Sequence, residues 1–399
     1  MSPSLHMNQT CTVVTVDSTV LTSKNCDEIK TIDVAELNES VQHMSHESHE
    51  NEEETIVRCI TCASLSDCGT WFAACTNDKR LYQWRTVSWT LSSVRILNRA
   101  ASSVKFTPTA QGIVVADKTG DAYLFSVQNN TENGQLLLGH LSMLLDVIIS
   151  SCENFIVTCD RDEKIRVSRF PNAYNIQSYC LGHEEFVSRI EFFPGDRNIL
   201  VSGSGDGSVR FWDYLEGKQI GIIHCDSDVK MKSCQESNGE ADDNCGSKEP
   251  LAVRHFSAKE SSKGVNILAV TLATFSGCIL YSISGNITAV HSDLLNVLAL
   301  DVEPWDILLT ENRELWCLAS VERHPVSVYM YNDKTSEFLP NGQSVDCKSE
   351  FLANSFNSKW DLFKSVPPPM IEPVMHKRRF DDLQEYKERK RQRLADKSL

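Results

Sequence analysis

The chain lacks several features that would assign it to a common class of protein. Among its 399 residues, no apolar run reaches the roughly 18 residues that a membrane-spanning helix requires. The longest apolar stretch, residues 136–149, is interrupted by Gly139, His140, Ser142 and Asp146. No secretory signal is recognisable either. We therefore expect an intracellular protein with no transmembrane segment.

Sequence motifs of catalysis are also missing. There is no paired-carboxylate site, no H-E-x-x-H zinc motif and no nucleophile elbow. The glycine-rich segment 203–207 lacks the spacing of a dinucleotide fingerprint, and no Gly-Lys-Ser/Thr follows it. His183 and Asp206 resemble two members of a catalytic triad, but a structural role accounts for both, as argued below. We expect no catalytic residue and no cofactor on this chain.

Metal and disulfide chemistry find little support. The 15 cysteines are scattered singly through strand-like segments, as expected of reduced, buried thiols in an intracellular protein. Cys59 and Cys62 form a C-x-x-C, but no second pair follows at a zinc-finger spacing. His43, His46 and His49 lie in an acidic segment that favours solvated side chains over a metal site. We therefore predict no metal.

The net charge of −15 is unevenly distributed. Acidic residues concentrate at 36–54 and 226–250, which lack apolar content and are predicted to be disordered insertions. Basic residues concentrate at 377–393. Because the bulk charge is negative, the chain is not expected to coat nucleic acid unaided.

A repeat organises most of the sequence. Trp84, Phe125, Ser168 and Trp212 end four similar segments at intervals of 41, 43 and 44 residues, which is the WD-repeat period. Each segment reads as an apolar strand, a turn rich in Asp, Gly, Lys and Arg, and a second apolar strand. Weaker patterns at residues 11–21, 252–283 and 287–331 bring the total to about seven. The sequence thus predicts an all-β fold, a WD-repeat β-propeller over residues 1–335.

One repeat carries the full polar signature of a WD blade. In this segment, His183, Ser202, Asp206 and Trp212 can hydrogen-bond in series and fix a strand turn. We predict that these four residues form a structural tetrad. The glycines at 203–207 then supply a tight turn between strands.

The preceding repeat departs from this pattern. Aligned on its neighbour, Asp162 matches Asp206, and Ser168 stands where the tryptophan belongs. The charges that the blade would not require are Asp160, Arg161, Glu163, Lys164 and Arg166. Alternating charges on one rim suit either a solvated turn or a charge-matched protein contact, and physical arguments alone do not separate the two.

Four segments carry a more specific resemblance. Residues 116–121, 138–147, 160–167 and 180–190 resemble the non-catalytic WD-repeat subunit of the tRNA (guanine-N7-)-methyltransferase. The close resemblance covers about residues 56–215. It implies a heterodimer in which a separate catalytic subunit binds S-adenosylmethionine and methylates a variable-loop guanine in tRNA. The chain itself would be a scaffold that stabilises this partner.

The resemblance also implies where the partner binds. Asp160, Arg161, Glu163, Lys164 and Arg166 would form the contact, with Arg166 bracing the turn. On the neighbouring turn, Lys118 would add to it. The competing hypothesis is a nuclear WD-repeat adaptor that recruits proteins for ubiquitination or DNA repair.

The end of the sequence changes character again. Residues 336–375 are predicted to be a linker, with Pro367-Pro368-Pro369 as a stiff element. Residues 376–399 lack Gly and Pro and predict a basic helical tail. Its two clusters suit a bipartite nuclear-import signal, so we expect a nuclear protein; a contact with the partner or with tRNA is the compatible alternative. The basic tail residues are Lys377, Arg378, Arg379, Arg389, Lys390, Arg391 and Arg393.

Overall fold

The chain folds into seven four-stranded antiparallel sheets, each built from four consecutive strands. A computed structural model describes residues 2–25, 28–37, 57–236, 251–260, 266–332, 335, 337–340, 347–371 and 375. The innermost strands contact one another in the cyclic order β1, β5, β9, β13, β17, β21, β25 and back to β1. The sheets are therefore the blades of a closed seven-bladed propeller, which confirms the predicted fold.

The strands follow the chain without a crossover. The first three blades comprise β1 Ser4–Met7, β2 Cys11–Val16, β3 Thr19–Lys24, β4 Lys30–Asp33, β5 Ile60–Leu65, β6 Trp71–Thr76, β7 Arg80–Arg85, β8 Thr90–Ile96, β9 Ala101–Phe106, β10 Gly112–Asp117, β11 Asp121–Ser126 and β12 Gln135–Gly139. Blades four and five comprise β13 Leu144–Ile149, β14 Phe155–Asp160, β15 Ile165–Arg169, β16 Ile176–Cys180, β17 Val187–Phe192, β18 Ile199–Ser204, β19 Ser208–Asp213 and β20 Lys218–His224. Blades six and seven comprise β21 Val253–Glu260, β22 Asn266–Leu272, β23 Gly277–Asn286, β24 Ala289–Ala299, β25 Pro304–Leu309, β26 Glu314–Ala319, β27 Val326–Asn332 and β28 Glu337–Pro340.

The hydrophobic core is divided among the seams between adjacent blades. Between blades four and five, Val157, Ile165 and Val187 pack with Trp212, all essentially inaccessible to solvent. Alternation along each strand supplies an apolar side chain to the seam on either face. The loops at the two ends of the strands are thereby left for binding.

Side chains, not a shared strand, close the ring between the last blade and the first. The Asp306 carboxylate accepts a hydrogen bond from the backbone N–H of Leu5, at 2.9 Å. Leu5 and Val14 of blade one pack against Trp305 and Trp316 of blade seven. Blades one and seven are each complete in themselves, so this seam depends on apolar packing and on the Asp306 hydrogen bond.

A helix covers that seam and corrects the prediction of a linker over residues 336–375. Residues Glu337–Pro340 are the outer strand of blade seven, and Cys347–Asn357 forms α2, followed by a 3₁₀ turn at Trp360–Leu362. Leu352, Ala353 and Phe356 enter the apolar cluster between blades seven and one. This buried surface holds the segment in place, so the propeller unit extends well beyond residue 335.

A second helix lies in the predicted insertion 226–250. Cys225–Glu236 forms α1, with Asp226 and Asp228 in its first turn, where acidic groups favour a helix. The Tyr281 hydroxyl donates a hydrogen bond to the Asp228 carboxylate at 2.8 Å, and Val229 packs against the core of blades five and six. Disorder is therefore the wrong prediction for the first part of this insertion.

Blade six is also longer than predicted, because β24 belongs to it and not to the next blade. Most of the insertion 36–54 lies outside the described residues, as do His43, His46 and His49 and the basic tail 376–399. Those predictions stay as they are. Among the described helices, none is long and apolar enough to cross a membrane.

Candidate functional site: the rim of blade four

The tetrad of blade five is present and fully hydrogen-bonded. Trp212 Nε1 donates to Ser202 Oγ at 2.8 Å. His183 Nε2 lies 2.8 Å from Ser202 Oγ, and His183 Nδ1 lies 2.9 Å from Asp206 Oδ2. A neutral imidazole that accepts from Ser202 and donates to Asp206 satisfies every group in the chain. These four residues hold the blade together, so His183 and Asp206 are not free for catalysis.

Burial and hydrogen bonding act in opposite directions on the carboxylate. Burial raises the pKa of Asp206, but hydrogen bonds from His183, Ser208 and the Glu184 backbone outweigh it and hold the pKa below its usual range. The pKa of His183 is lowered because burial disfavours the imidazolium, although Asp206 partly offsets this. Both shifts agree with a neutral histidine that donates to a carboxylate.

Blade four has a shortened version of the same chain. His140 Nε2 lies 2.8 Å from Thr158 Oγ1, and His140 Nδ1 lies 2.8 Å from Asp160 Oδ2. The Asp160 side chain is 2% exposed and also accepts from the backbone N–H groups of Asp162 and Lys164. The alignment that paired Asp162 with the histidine was therefore wrong, and Asp160 is a structural residue.

The reason lies in the turn. In blade five, Ser204 Oγ accepts from the Asp206 N–H, while Asp206 reaches the histidine. In blade four, Asp160 occupies the place of Ser204 and makes both kinds of contact. Its Oδ1 accepts from the backbone N–H of Asp162, and its Oδ2 bonds to His140. Asp162 is thereby released to the surface, where its side chain is 38% exposed.

Arg166 fastens the seam beside this turn. Its Nε donates to Ser168 Oγ at 2.9 Å, and its terminal nitrogens donate to the backbone oxygens of Gly139 at 3.1 Å and Ala173 at 2.8 Å. Burial lowers the pKa of this guanidinium. Ser168, in the place of the tryptophan, leaves the room that the arginine fills. Arg166 therefore braces the seam between blades three and four with three of its five N–H donors, and the bracing of the turn itself stays a prediction.

The remaining predicted residues lie on the rim. Arg161 forms an ion pair with Asp162 at 3.5 Å, and its side chain is 35% exposed. Lys164 is exposed and donates to the Asp162 backbone oxygen at 3.2 Å. Glu163 is half-buried at the left-handed position of the turn, with φ of 59°. Lys118, exposed on the corresponding turn of blade three, lies on the same face of the ring.

Two exposed leucines flank this turn, and sequence reasoning did not single them out. Leu141 is fully exposed in the loop before β13, and the Arg161 N–H donates to Met143 O in that same loop at 3.0 Å. Leu181 is 62% exposed at the end of β16, one residue after the Cys180 that pairs with Ile165. The signal was a leucine next to each of two Gly-His pairs: Leu141 follows Gly139-His140, and Leu181 precedes Gly182-His183. The rim therefore combines fixed charges with exposed apolar side chains, as protein-binding surfaces do.

The rest of the described surface gives little sign of another kind of site. Across the residues that the structure describes, no group of three or more His, Cys, Asp or Glu side chains is arranged to hold a metal ion. One open surface depression, beside Asn154 and Asn175, contains Arg169 as its charged group.

These features define a class of protein: a WD-repeat β-propeller whose exposed rim is suited to binding another macromolecule. The family model described as the WD40 domain of the tRNA methyltransferase TRM82 matches residues 126–337, and a WD domain, G-beta repeat model matches residues 44–85. The chain belongs to the family of non-catalytic WD-repeat subunits of the tRNA (guanine-N7-)-methyltransferase, and is accordingly not itself the enzyme.

Individual relatives agree with this assignment. The chain is 34% identical over 337 residues to the non-catalytic subunit wdr4 of Xenopus laevis, covering 84% of this chain and 80% of that protein. It is 36% identical over 270 residues to the human subunit WDR4, covering 68% and 62%. The subunit wuho of Drosophila mojavensis is 45% identical over 140 residues, covering 35% and 37%.

Solved structures share the fold. A chain of the mitotic checkpoint complex superimposes with a TM-score of 0.57 at 13% identity, covering 77% of this chain and 82% of that one. The Cps50 (Swd1) β-propeller domain of Myceliophteria thermophila gives 0.53 at 11% identity, covering 79% and 94%. At such identities the likeness shows the fold alone.

Proposed function

We propose that this protein binds the catalytic subunit of a tRNA (guanine-N7-)-methyltransferase through the rim of blade four. The observation that carries the proposal is the turn 161–164, where the exposed Lys164 and the partly exposed Arg161 and Asp162 are held on a backbone fixed by the buried carboxylate of Asp160. A rigid, charged surface loses little conformational freedom on binding and selects a partner of complementary charge. The relatives are named as non-catalytic subunits of this methyltransferase, which supports its catalytic subunit as the partner.

The residues divide into two roles in this proposal. Glu163 and Lys164, with Arg161 beside them, face the partner. Asp160 holds the turn from beneath, and Arg166 fixes the strands beside it through Gly139 and Ser168. Lys118 extends the charged rim towards blade three, and the exposed leucines beside the turn add apolar contact area.

The chemistry is assigned to the partner. S-adenosylmethionine would bind to the catalytic subunit, which would methylate N7 of a guanine in the tRNA variable loop. This chain would contribute by fixing partner elements that move in the isolated subunit, so that substrate or cofactor binds a preformed site. The basic segment 377–393 would direct the complex to the nucleus.

Co-expression with the catalytic subunit tests the proposal. We expect a stoichiometric complex and tRNA N7-methylation that depends on this chain. The double charge reversal Glu163→Lys with Lys164→Glu should weaken the complex about tenfold or more, because it exchanges both signs without changing the net charge.

A matched control lies two blades away. Lys79 is exposed at the corresponding left-handed turn position of blade two, with φ of 63°. Lys79→Glu should leave the complex unchanged. Equal affinity of the wild type and the double reversal would refute the assigned rim. Capture of a ubiquitin-ligase or repair complex without a methyltransferase would refute the proposed function itself.

A further inference from the structure

The depression beside Arg169 lies at the end of blade four opposite the turn 161–164. Arg169, the last residue of β15, pairs with Phe155, the first residue of β14. Ile165, next to the turn, lies at the other end of β15, about 14 Å away along the strand. The depression has a volume of about 450 Å³. We refer to it as the amide pocket, because its polar lining consists of Asn154, Arg169, Asn172, Asn175 and Gln177.

The guanidinium of Arg169 supplies the charge of the amide pocket. It stacks on the Phe155 ring, 5.1 Å from the centroid, which fixes its plane and leaves its N–H edge for a ligand. Within the described part of the chain, this guanidinium has no carboxylate partner. Glu153, beside the pocket in sequence, instead accepts hydrogen bonds from the backbone N–H and the hydroxyl of Thr109, both at 2.7 Å. The pocket therefore presents an unpaired cation.

Side-chain amides surround this cation on a loop of fixed shape. The Arg169 N–H donates to Asn175 O at 2.8 Å, and the Asn175 N–H donates to Asn172 O at 3.0 Å. The side chains of Asn172 and Asn175 are exposed and make no hydrogen bond to any other described residue. An amide offers two donors and one acceptor, which match the edges of nucleic-acid bases. The combination suits a ligand that has both an anionic group and a base.

The same loop also exposes an aromatic ring. Ala173 is buried, and its backbone oxygen accepts a hydrogen bond from Arg166 at 2.8 Å, which holds the middle of the loop in place. Tyr174, the next residue, is 75% exposed. An exposed ring on a fixed backbone is a platform for base stacking, which is a usual way for proteins to bind unpaired nucleotides.

Blade two shows which of these features are particular to blade four. Arg85 pairs with Trp71 in the same register and stacks on its ring, also at 5.1 Å. The connection that follows, residues 86–89, contains no asparagine, and its Trp89 is buried. In blade four the connection is longer and covers residues 170–175. The stacked arginine thus occurs in both blades, whereas the free amides and the exposed ring belong to blade four.

We propose that the amide pocket binds an unpaired nucleotide of single-stranded nucleic acid. Arg169 contacts the phosphate, Asn172 and Asn175 contact the edge of the base, and Tyr174 stacks on that base or on its neighbour. A phosphorylated side chain fits less well, because clusters of arginines bind such groups and because it has no base for the amides. One phosphate contact of this kind is compatible with a chain of net charge −15.

Binding to the purified full chain, without any partner, tests the pocket. Arg169→Gln removes the cation. Arg85→Gln is the matched control, because it removes an exposed arginine that stacks in the same way in blade two. Tyr174→Ala removes the proposed platform. All three residues are exposed, so the midpoint of thermal unfolding should stay unchanged in each variant.

Two probes report on binding. Adenosine 5′-monophosphate is titrated by saturation-transfer NMR, and this small probe limits the contribution of the basic segment 377–393, whose attraction grows with the number of phosphates. A short, fluorescein-labelled single-stranded oligoribonucleotide is titrated by anisotropy over a series of salt concentrations. Inorganic phosphate and a phosphoserine peptide serve as competitors in both titrations.

We expect Arg169→Gln to bind adenosine 5′-monophosphate about fivefold more weakly or worse, because a charged hydrogen bond is lost. For the oligoribonucleotide, the slope of log K against log salt should become shallower by about 0.7, the value for one phosphate contact on a single strand. Tyr174→Ala should weaken oligoribonucleotide binding about fivefold or more. Arg85→Gln should behave like the wild type with both probes.

Three results would overturn the proposal. Equal affinities of the wild type and Arg169→Gln would show that the nucleotide does not bind in this pocket. Inorganic phosphate that competes as well as the nucleotide would mean that the pocket recognises an anion and no base. A phosphoserine peptide that competes better would assign the pocket to phosphoproteins. None of these measurements involves the catalytic subunit, so the proposed function can stand or fail independently of them.

Discussion

Blades four and five have the same strand order and the same turn geometry, yet they use their polar residues differently. Blade five completes the series from Trp212 to Asp206 within itself. In blade four, the hydrogen-bonded series ends at Thr158. Ser168 stands in place of the tryptophan and accepts a hydrogen bond from Arg166. In blade five, the polar side chains of the tetrad hydrogen-bond to one another. Blade four instead exposes charged side chains on its rim. The proposed binding site therefore lies where the repeat departs from its own pattern.

The largest expected effect comes from the end of the tetrad. Trp212→Ala should lower the free energy of unfolding by about 3–5 kcal/mol, because the side chain is wholly buried and its Nε1 hydrogen bond is lost. The reciprocal change, Ser168→Trp, should not repair blade four. It should destabilise by about 1–3 kcal/mol, since Arg166 already fills that space. Urea unfolding measures both, and a stabilising Ser168→Trp would show that blade four is merely an incomplete tetrad.

The two aspartates of the blade-four turn should behave differently. Asp160→Ala should cost about 2–3 kcal/mol, because His140 and two backbone N–H groups lose their acceptor. Asp162→Ala should change stability by less than about 0.5 kcal/mol, as expected of a surface position. Thermal unfolding of the two variants side by side provides the measurement. Comparable losses would contradict the assignment of Asp160 as the tetrad acid.

Equivalent arginines of the two blades offer a sharper contrast. Arg166 pairs with Thr158 across the strands as Arg210 pairs with Ser202. Arg166→Leu should weaken binding of the catalytic subunit by about 2 kcal/mol and also destabilise blade four. Arg210→Leu, which loses bonds to Ser208 and Gln219, should affect stability alone.

The variant Arg166→Lys distinguishes the effect of the guanidinium hydrogen bonds from that of the positive charge alone. A lysine keeps the positive charge but has no planar fork for the Ser168, Gly139 and Ala173 acceptors. If bracing is what matters, the lysine variant should bind the partner almost as poorly as the leucine variant in a titration by calorimetry. Full binding by the lysine variant would instead make Arg166 a direct contact.

The smallest effect is the pH dependence of blade five. Because the pKa of His183 in the folded state lies below the unfolded value of about 6.5, the unfolded chain takes up a proton first as the pH falls. The contribution of this histidine is complete above about pH 6.5 and is lost progressively below it, at no more than about 1.4 kcal/mol per pH unit. Asp206, with a lowered pKa, loses its contribution only below about pH 4.

The check is the difference between the wild type and His183→Gln. Between pH 7 and pH 5, the stability of the wild type should fall more steeply than that of the variant. Parallel slopes would mean that His183 is protonated in the folded blade and that the proton assignment of the tetrad is wrong.

Much of this molecule could be predicted from local signals, and the misses have identifiable causes. The four central blades carry their turn residues in sequence, so the strands between Trp84 and Trp212 follow from periodicity. Asp160 was misassigned because two carboxylates lie two residues apart and spacing does not show which one turns inward. An Asp at the end of the second strand was a usable signal, since Asp117 accepts from three backbone N–H groups of its turn in the same way.

The helix α2 was missed for a different reason. Its apolar residues Leu352, Ala353 and Phe356 give too short a pattern to stand out, and its stability comes from a seam between blades that are distant in sequence. Leu141 and Leu181 were overlooked because their exposure depends on how the loops fold. Whether a short helix forms or a loop leucine is exposed depends on tertiary contacts, and sequence periodicity carries no information about those contacts.

The closure of the ring has a consequence for how the protein is made. Because every sheet consists of four consecutive strands, each blade can form as soon as its own forty or so residues have left the ribosome. Contacts such as Asp306 with Leu5, across 301 positions, must wait until synthesis is nearly complete. The α2 segment, made after the last strand, then packs over the joint. A nascent chain that stalls before α2 would hold the 28 described strands but lack the helix that covers the joint, leaving part of that apolar cluster exposed to chaperones and proteases.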